Sequence, residues 1–356
     1  MELFRPRATI DLSAVECNWK ALHSLAPQAE IAAVVKADAY GHGADRIGAR
    51  LMRAGCRSFF TATLDEAVAL RLAIGEGPRI FILDGVFESD LLMLGQYQLS
   101  PVLNSLTQIK DWALSPISNS QSAVIHIDTG INRLGIRPSE MAEAKHALNG
   151  KTVSMVMSHL ACADEPGHPL NAKQREIFID CAAHWPDAAK SLTNSAGMAL
   201  KGYAFNLCRP GIALYGGGVA LATETPLLPT ITVEAPILSV FDVAAEETTG
   251  YGATYRFRKP KRLSTVAIGY ADGLPRALSN SGFAYVDGVR CDIVGRVSMD
   301  LITLDVTQVS CKLAPGNAVE FIGHNANLEA QAAAAGTLGY ELLTGIGPRV
   351  ERVWHG

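Results

Sequence analysis

The stretch Ile31–Gly43, IAAVVKADAYGHG, shows the pattern on which the fold prediction rests. Its first five residues are apolar, as in a buried strand, and a lysine, Lys36, follows directly. Similar short apolar runs recur up to about Tyr215, separated by longer amphipathic segments. The predicted strands are Ile31–Val35, Ser58–Ala62, Arg79–Leu83, Pro101–Leu103, Ala123–Asp128, Val153–Ser158, Ser191–Thr193 and Asn206–Leu207. Eight strands that alternate with helices predict a closed parallel (β/α)8 barrel rather than an open sheet.

The helices between these strands carry recognisable start signals. A Ser or Thr followed three residues later by Glu can satisfy two free backbone amides at a helix start. This pattern occurs at Thr63 for a helix Thr63–Ile74 and at Ser13 for a helix Ser13–Leu25. A further helix is predicted over Leu170–Ala183.

The pattern changes after Tyr215. The segment Thr223–Pro236 holds three prolines and is typical of a linker or an edge segment. Strand-like runs follow, and the pair Asp287-Gly288 indicates a tight hairpin. These predicted strands are Ile237–Val243, Arg262–Gly269, Ala284–Val286, Arg290–Val297, Leu301–Val306 and Ala318–Ile322, with a short helix Leu328–Ala335 after them. We therefore expect a barrel domain over residues 1–222 and a mostly antiparallel β domain over 223–356, with the extreme N-terminus free to pack with the β domain.

Composition narrows the class of protein. The chain has 356 residues, is 48% hydrophobic and carries a net charge of −4. Such a chain can build a large core, and its charge gives no reason to expect nucleic acid or an anionic membrane as a partner. Its seven cysteines form no Cys-x-x-Cys pair, and neither a secretory signal nor an apolar run of membrane-spanning length is present. We expect a cytoplasmic protein without a structural or catalytic zinc.

The candidate site lies where several barrel strands end. Active sites of parallel barrels are built at the carboxyl ends of the strands, and the loops after the last two strands often bind phosphate. Polar groups follow five predicted strands: Lys36, Arg133, His159, the pair Asn194-Ser195, and Arg209 with the backbone amides near Gly211 and Ile212. Ser195 and these amides suit a phosphate group.

Lys36 permits more than one interpretation. A lone lysine at a strand end usually extends its ammonium group to solvent. Beside a phosphate site, a lysine that forms a Schiff base becomes the better interpretation. Phosphate together with such a lysine suggests pyridoxal phosphate, although an aldolase acting on phosphorylated sugars would share both features.

Further motifs produce a resemblance to one family. Val34-Val-Lys36-Ala-Asp-Ala-Tyr40-Gly-His-Gly43 resembles the cofactor-attachment motif of bacterial alanine racemases. The other matching motifs occur in the family's order and span nearly the whole chain: Asp128-Thr-Gly, Arg133-Leu-Gly, Ser158-His159, Asn194-Ser195, Arg209-Pro-Gly-Ile-Ala-Leu-Tyr215-Gly216, Gly250-Tyr251-Gly252, Gly269-Tyr270-Ala-Asp272-Gly273 and Gly295-Arg296-Val-Ser-Met299-Asp300. The resemblance implies a barrel that binds pyridoxal phosphate, followed by a β domain.

The resemblance also implies catalytic roles. Lys36 would attach the cofactor and, once released, act as one acid/base, while Tyr251 would act from the opposite face of the substrate Cα. Racemisation requires a proton to leave from one face and another to arrive at the other. Judged without the resemblance, Tyr251 is an aromatic residue that fills a Gly-flanked turn.

Binding and supporting roles follow from the same resemblance. Arg209 would face the pyridine nitrogen and disfavour its protonation, with His159 hydrogen-bonded to Arg209. Arg133 would contact the phenolate oxygen of the cofactor and the substrate carboxylate, and the Met299 amide would contact that carboxylate. The phosphate would be held by Tyr40, Ser195 and the amides of Gly211 and Ile212, with Asn194 in the same loop. Asp300 would orient the mouth, and Tyr270 and Arg276 would narrow the entrance.

Two positions depart from the family pattern. His126 stands where many relatives have a lysine, often carbamylated, whose negative charge positions the arginine that corresponds to Arg133. Imidazole cannot form that carbamate, so we expect a bound anion such as chloride, or a nearby carboxylate, to take its place. Pro348 stands where some relatives have a tyrosine that contacts the phosphate, which predicts one contact fewer.

The function implied is a two-base interconversion of L-alanine and D-alanine, for peptidoglycan precursor synthesis or for alanine catabolism. In this family the β domain of one subunit completes the active site of the other, so a homodimer is expected. A second hypothesis is a decarboxylase or a broad-range racemase of the same fold, but decarboxylases lack the Tyr251 motif. A third is a cofactor carrier or regulatory protein built on a single barrel, which the length of this chain disfavours.

Overall fold

The computed structural model describes residues 3–356, and its strands and helices alternate over most of the chain. The strands are β1 (Arg7–Asp11), β2 (Glu30–Ile31), β3 (Ala33–Val34), β4 (Ser58–Thr61), β5 (Arg79–Ile82), β6 (Ser100–Leu103), β7 (Ala123–His126), β8 (Val153–Met157), β9 (Ala189–Ser191), β10 (Leu207–Cys208), β11 (Ile231–Val243), β12 (Thr248–Thr249), β13 (Tyr255–Arg256), β14 (Lys261–Val266), β15 (Phe283–Val286), β16 (Val289–Asp292), β17 (Ile302–Asp305), β18 (Ala318–Ile322) and β19 (Glu351–His355). The helices are α1 (Leu12–Leu22), α2 (Lys36–Gly41), α3 (Ala44–Ala54), α4 (Leu64–Ile74), α5 (Leu91–Gln96), α6 (Leu106–Leu114), α7 (Met141–Ala147), α8 (Pro169–Ala182), α9 (Leu328–Ala334) and α10 (Gly339–Gly345).

The chain separates into two compact units. One unit comprises residues 15–214 and 219–228, and it holds β2–β10. The other comprises residues 1–14, 215–218 and 229–356, so the first strand belongs with the C-terminal strands. Among the described residues, no helix is both long and apolar enough to cross a membrane.

The first unit is a closed parallel barrel. Its sheet runs in sequence order from β3 to β9, and β10 pairs in parallel with β2. Strands β2 and β3 are two parts of one extended run, and the Asn206 amide donates to the Lys190 carbonyl beside β9 (2.9 Å). These bonds join the last strand to both neighbours, which confirms the predicted barrel. Helices α3 to α8 lie between its strands, and the strand side chains in between are almost fully buried.

Two details of the barrel differ from the prediction. The seventh strand, β9, begins two residues before the predicted Ser191–Thr193 segment, because polar Lys190 pairs with Val156 in the sheet. Helix α1 begins at Leu12 and is capped by the Asp11 carboxylate, which accepts the amides of Ser13 (2.8 Å) and Ala14 (3.0 Å). Ser13 is therefore not the cap. Thr63 is confirmed as the N-cap, since its Oγ1 accepts the Glu66 amide (3.3 Å), but the Glu66 carboxylate accepts the amide of Ala62 and not that of Thr63, so the second half of the predicted capping box is absent.

The second unit is a mostly antiparallel sheet in the order β16-β15-β18-β11-β1-β19, in which β14 also pairs with β11 and β17 pairs with β14. The turn at Asp287-Gly288 closes the β15–β16 hairpin, and both residues have positive φ (49° and 73°), as this tight turn requires. The predicted antiparallel hairpin is confirmed.

The prediction of a linker or an edge segment over Thr223–Pro236 is wrong over its last six residues, which lie in a strand between two others. Strand β11 already begins at Ile231 and includes Pro236. Up to Pro236 the strand pairs with β18, and from Ile237 it pairs with β14. The proline is tolerated because it stands where the strand changes partners. Strands β1 and β19 were not predicted either, since each is short and finds its partner at the other end of the chain.

Candidate active site

Lys36 lies at the carboxyl end of the first barrel strand and is half-buried. Burial holds the pKa of its ammonium group below the ordinary lysine value, and the positive charge of Arg133 lowers it further. The carboxylates of Asp84 and Glu66 act in the opposite direction. A lysine with a lowered pKa has more of the neutral amine that attacks a carbonyl carbon. The structure thus provides the environment expected of a Schiff-base lysine.

The turn that follows Lys36 is left-handed. Four successive residues, Ala37 to Tyr40, have φ between 52° and 54° although none is glycine. Each such residue costs roughly 1–2 kcal/mol relative to right-handed backbone. Glu66 holds the start of this turn, because its carboxylate accepts the amides of Ala37 (2.8 Å) and Ala62 (2.8 Å).

Tyr40 and Gly211 form a close contact at the end of this turn. A Cβ added to Gly211 would lie 2.3 Å from the Tyr40 hydroxyl oxygen, so only glycine leaves room there. Ser195 Oγ accepts the amides of Gly211 (2.9 Å) and Ala213 (3.3 Å), which leaves its own hydrogen available to donate. The Ile212 amide has no partner within residues 3–356. Tyr40, Ser195 and Ile212 thus surround a glycine-walled cradle with hydrogen-bond donors.

Gly211 and Asn194 differ from their predicted roles. The Gly211 amide is occupied by Ser195, so Gly211 contributes through its missing side chain instead. Asn194 Oδ1 accepts the Gly197 amide (2.9 Å) and so fixes the turn that carries Ser195.

Arg209 is a buried cation at the end of β10. Its two terminal nitrogens donate to Ser191 Oγ (2.5 Å) and to the Ser158 carbonyl (2.6 Å). No carboxylate pairs with it in the part of the chain that the structure describes, and burial lowers its pKa to about 10. A buried guanidinium without a carboxylate is suited to facing a neutral acceptor from a ligand.

No hydrogen bond joins His159 to Arg209 among the described residues, and the terminal nitrogens of Arg209 donate to Ser191 and Ser158 instead. Burial lowers the pKa of His159 to about 3, and the positive charge of Arg209 contributes. A neutral imidazole avoids placing a second cation beside Arg209.

His126 ends β7 and is 5% exposed. Its Nδ1 lies 2.7 Å from Asn104 Oδ1, while its Nε2 is buried and has no partner among the described residues. Burial lowers the pKa of His126 to about 4, with further lowering by Arg209 and Arg133.

Arg133 is carried by a loop that is closed at its base. The Ile136 amide donates to the His126 carbonyl (2.9 Å), and the Asp128 amide donates to the Ile136 carbonyl (2.9 Å). A Cβ on Gly135 would lie 2.6 Å from the Asp128 amide nitrogen, so this closure requires glycine. The closure fixes the backbone of the loop that carries Arg133, while the Arg133 side chain is exposed.

The β unit contains the second group of predicted site residues. Tyr251 lies on a short 3₁₀ turn and is 72% exposed. A Cβ on Gly252 would lie 2.9 Å from an Arg296 guanidinium nitrogen, so a positive charge lies against the Tyr251 turn. Met299 is also exposed, and its carbonyl accepts the amide of Ala271 (3.0 Å).

Asp300 is held by an arginine that the sequence did not single out. Arg349 donates to Asp300 Oδ1 (2.8 Å) and, through two nitrogens, to both carboxylate oxygens of buried Asp272 (2.9 Å each). These bonds raise the pKa of Arg349 above its ordinary value. Arg349 thus joins the Met299-Asp300 loop to the turn that begins at Tyr270. Tyr270 and Arg276 lie on neighbouring 3₁₀ turns of this unit.

Three positioning residues were missed from the sequence: Glu66, Asn104 and Arg349. Glu66 was noticed only as a helix cap, and Asn104 directly follows β6, where a polar residue at a strand end could have been counted with the others. Arg349 adjoins Pro348, but no spacing pattern links it to Asp272, 77 residues earlier.

The barrel residues fit pyridoxal phosphate. The glycine-walled cradle offers donors to a phosphate group, the buried guanidinium of Arg209 offers a donor to a pyridine nitrogen, and Lys36 offers an amine at the same mouth. No described group of His, Cys, Asp and Glu side chains is arranged to hold a metal ion.

A parallel barrel with this mouth, followed by a β domain, defines the barrel class of pyridoxal phosphate enzymes. Two family models match: the N-terminal domain of alanine racemase over residues 10–218 and the C-terminal domain of alanine racemase over residues 230–354. The chain belongs to the alanine racemase family.

Individual relatives agree over nearly the full length. A catabolic alanine racemase of Agrobacterium fabrum is 44% identical, covering 97% of this chain and 90% of that relative. Alanine racemase of Acidiphilium cryptum is 44% identical over 98% of each chain. The structure of alanine racemase from Bartonella henselae with covalently bound pyridoxal phosphate has a TM-score of 0.92 at 35% identity, covering 99% of this chain and all of that one. Biosynthetic alanine racemase from Pseudomonas aeruginosa has a TM-score of 0.93 at 34% identity, with the same coverage.

Proposed function

We propose that this protein is a pyridoxal phosphate-dependent alanine racemase that interconverts L-alanine and D-alanine. The observation that carries this proposal is the mouth of the barrel, where Lys36, with a lowered pKa, shares one cluster with Arg133, Arg209 and a glycine-walled cradle in a chain of this family. The D-alanine would serve peptidoglycan synthesis, or the reverse direction would serve alanine catabolism.

The bound cofactor would supply an electron-withdrawing ring that makes the Cα proton of alanine removable. Tyr40, Ser195 and the Ile212 amide would hold its phosphate, and Arg209 would donate to its pyridine nitrogen. Because arginine keeps its own proton, Arg209 would keep that nitrogen unprotonated and so limit side reactions.

The chain's own groups would move the protons. The amine of Lys36 would accept or deliver a proton on one face of Cα, and the phenol of Tyr251 would do so on the other. Arg133 and the Met299 amide would bind the substrate carboxylate and fix which bond faces each base. Asp300 would hold the Met299 loop, and Tyr270 and Arg276 would restrict the entrance to small side chains.

We also propose a cytoplasmic homodimer in which each β domain completes the barrel site of the partner subunit. The exposure of Tyr251 and Met299 supports this arrangement, because exposed groups of one chain can form part of a site with the barrel of a second chain.

Incubation of the holoenzyme with L-alanine in deuterated water tests the function. Deuterium incorporation at Cα with inversion is expected. Release of carbon dioxide would indicate a decarboxylase instead, and the absence of any change would indicate a carrier.

Two substitutions test the assigned bases. Lys36→Ala should abolish the absorbance band of the cofactor that is covalently linked to lysine, and a retained band would exclude Lys36 as the attachment site. Tyr251→Phe should slow racemisation in both directions and should slow exchange of the Cα proton chiefly for one enantiomer, since only one face loses its base. Tyr285→Phe, a change on β15, should leave exchange and racemisation unchanged. If Tyr251→Phe acts on each enantiomer as fast as the wild type does, Tyr251 is not a catalytic residue.

A further inference from the structure

His126 has one ring nitrogen whose role is fixed by its neighbour. Both amide hydrogens of Asn104 are used, because its Nδ2 donates to the carbonyls of Leu83 (2.9 Å) and Val102 (2.8 Å). Asn104 therefore presents its oxygen to His126 Nδ1 at 2.7 Å, and Nδ1 must carry the hydrogen. Nε2 of the neutral ring is then an acceptor. It is buried without a partner in the described part of the chain.

A buried acceptor of this kind calls for a donor. Two guanidinium groups act electrostatically on His126, those of Arg209 and Arg133. Each terminal nitrogen of Arg209 already donates one hydrogen, to Ser191 and to the Ser158 carbonyl, and the proposed function assigns a remaining Arg209 N–H to the pyridine nitrogen. The Arg133 side chain is exposed and its guanidinium makes no hydrogen bond or ion pair with any residue in 3–356, so its N–H groups are available to donate. Arg133 lies on the loop whose base is closed on the His126 carbonyl.

The surroundings disfavour the anion or carboxylate expected from the sequence. Asp128, the acidic residue of this loop, accepts the amides of Gly130 (2.9 Å) and Asn132 (3.1 Å) and lies 3.8 Å from Arg137. Its carboxylate is therefore engaged away from Arg133. A bound anion would face the lone pair of Nε2, which repels it. The low pKa of His126 keeps the ring neutral across physiological pH.

We propose that His126 is a positioning residue whose Nε2 accepts a hydrogen bond from the Arg133 guanidinium once the cofactor is bound, with Asn104 fixing the ring. The neutral side chains of His126 and Asn104 thereby position Arg133 in place of a negatively charged group, and no bound anion is needed. This inference rests on the proposed function, in which Arg133 binds the substrate carboxylate.

The test compares His126→Leu and His126→Gln with the wild-type holoenzyme. Leucine removes the acceptor at similar volume, whereas glutamine keeps a neutral acceptor. The probe is propionate, which carries the substrate carboxylate but has no amine to react. We expect His126→Leu to weaken propionate inhibition and raise the KM for L-alanine together by about tenfold, with a smaller change in kcat, since one hydrogen bond to a charged group is lost. His126→Gln should stay within about threefold of the wild type.

Removal of chloride distinguishes a hydrogen bond to His126 from a bound chloride ion as the group that positions Arg133. Wild-type propionate affinity should be the same in chloride and in gluconate buffers of equal ionic strength. A loss of affinity when chloride is removed would overturn the proposal, and so would unchanged propionate affinity in a folded, cofactor-loaded His126→Leu enzyme.

A neutron crystal structure of the wild-type holoenzyme tests the geometry even if the variants fail to fold. Deuterium on Nδ1, none on Nε2, and an Arg133 nitrogen at hydrogen-bond distance from Nε2 would support the proposal. Deuterium on Nε2, or an anion between the two side chains, would overturn it. This readout does not depend on turnover, so a failure of racemase activity and a failure of the His126 contact are distinguishable.

Discussion

At the scale of single residues, the left-handed turn after Lys36 shows how a short segment of strained backbone is held in place. Ala37–Tyr40 adopt a conformation that glycine would adopt at lower cost, yet the sequence places side chains there. The turn persists because its ends are fixed: the Ala37 amide is bound by Glu66, and the Ala44 amide by Asp38 Oδ1 (2.8 Å). The strain therefore lies next to the lysine that the chemistry needs.

Ala37→Gly should raise the free energy of unfolding by about 0.5–1 kcal/mol, because glycine accepts a φ of 52° without a steric penalty. Urea unfolding of the purified protein measures this change. Ala69→Gly is the matched control: Ala69 is also exposed but lies within right-handed α4, so glycine there should lower the free energy of unfolding by about 1 kcal/mol. Equal destabilisation by both variants would contradict the argument.

At the scale of elements, a single buried arginine ties α4 to the loops around it. Arg71 donates to the carbonyls of Gly75, Pro78, Tyr97 and Gln98, at 2.7 to 3.0 Å. Burial lowers its pKa. These four carbonyls lie in the segments just before β5 and β6. Arg71 supplies the hydrogen-bond donors that the backbone of these segments does not provide.

Arg71→Met should lower the free energy of unfolding by about 2–4 kcal/mol, since four carbonyls, one of them fully buried, lose their donor. Arg53→Met, a change at an exposed position of α3, should alter it by no more than about 0.5 kcal/mol. Chemical denaturation of both variants against the wild type measures the difference, and similar values for the two would refute the role of Arg71.

Among the elements, the repeated barrel strands could be predicted from the sequence, whereas strands that pair with a distant part of the chain could not. The barrel strands were predictable because each is a short apolar run ended by a turn. Strands β1 and β19 were not, because their pairing joins residues more than 340 positions apart. In the site, Lys36 and Arg209 stood out as charges at strand ends, whereas the tautomer of His126 depends on Asn104, which no local pattern connects to it.

At the scale of the whole molecule, buried histidines make the fold sensitive to acid. The pKa of His126 is about 4 in the folded chain and about 6.5 when unfolded. The unfolded state therefore binds more protons between these values, and stability falls as the pH drops below 6.5. At pH 5 this histidine alone should cost about 2 kcal/mol relative to pH 7.5.

Urea unfolding of the cofactor-free wild type and of His126→Gln at pH 7.5 and pH 5 checks this prediction. The variant should lose about 2 kcal/mol less than the wild type on acidification. An identical loss in both proteins would show that His126 does not contribute to the acid sensitivity.

The proposed homodimer makes a further prediction for the whole molecule. Since Tyr251 would serve the partner subunit's barrel, activity per chain should fall on dilution below the dimer dissociation constant. Racemase assays over a dilution series, run beside analytical ultracentrifugation, measure this. Full activity per chain in a demonstrated monomer would exclude shared sites.

The parallel pairing of β1 with β19 has a consequence for biosynthesis. Residues 7–11 cannot complete their hydrogen bonds until residues 351–355 have left the ribosome, because the two strands are direct neighbours. The barrel strands, by contrast, pair mostly with the next strand along the chain and can assemble while translation continues. The β unit should therefore be the last part to mature, and nascent chains halted before residue 351 should carry an incomplete sheet edge open to chaperones.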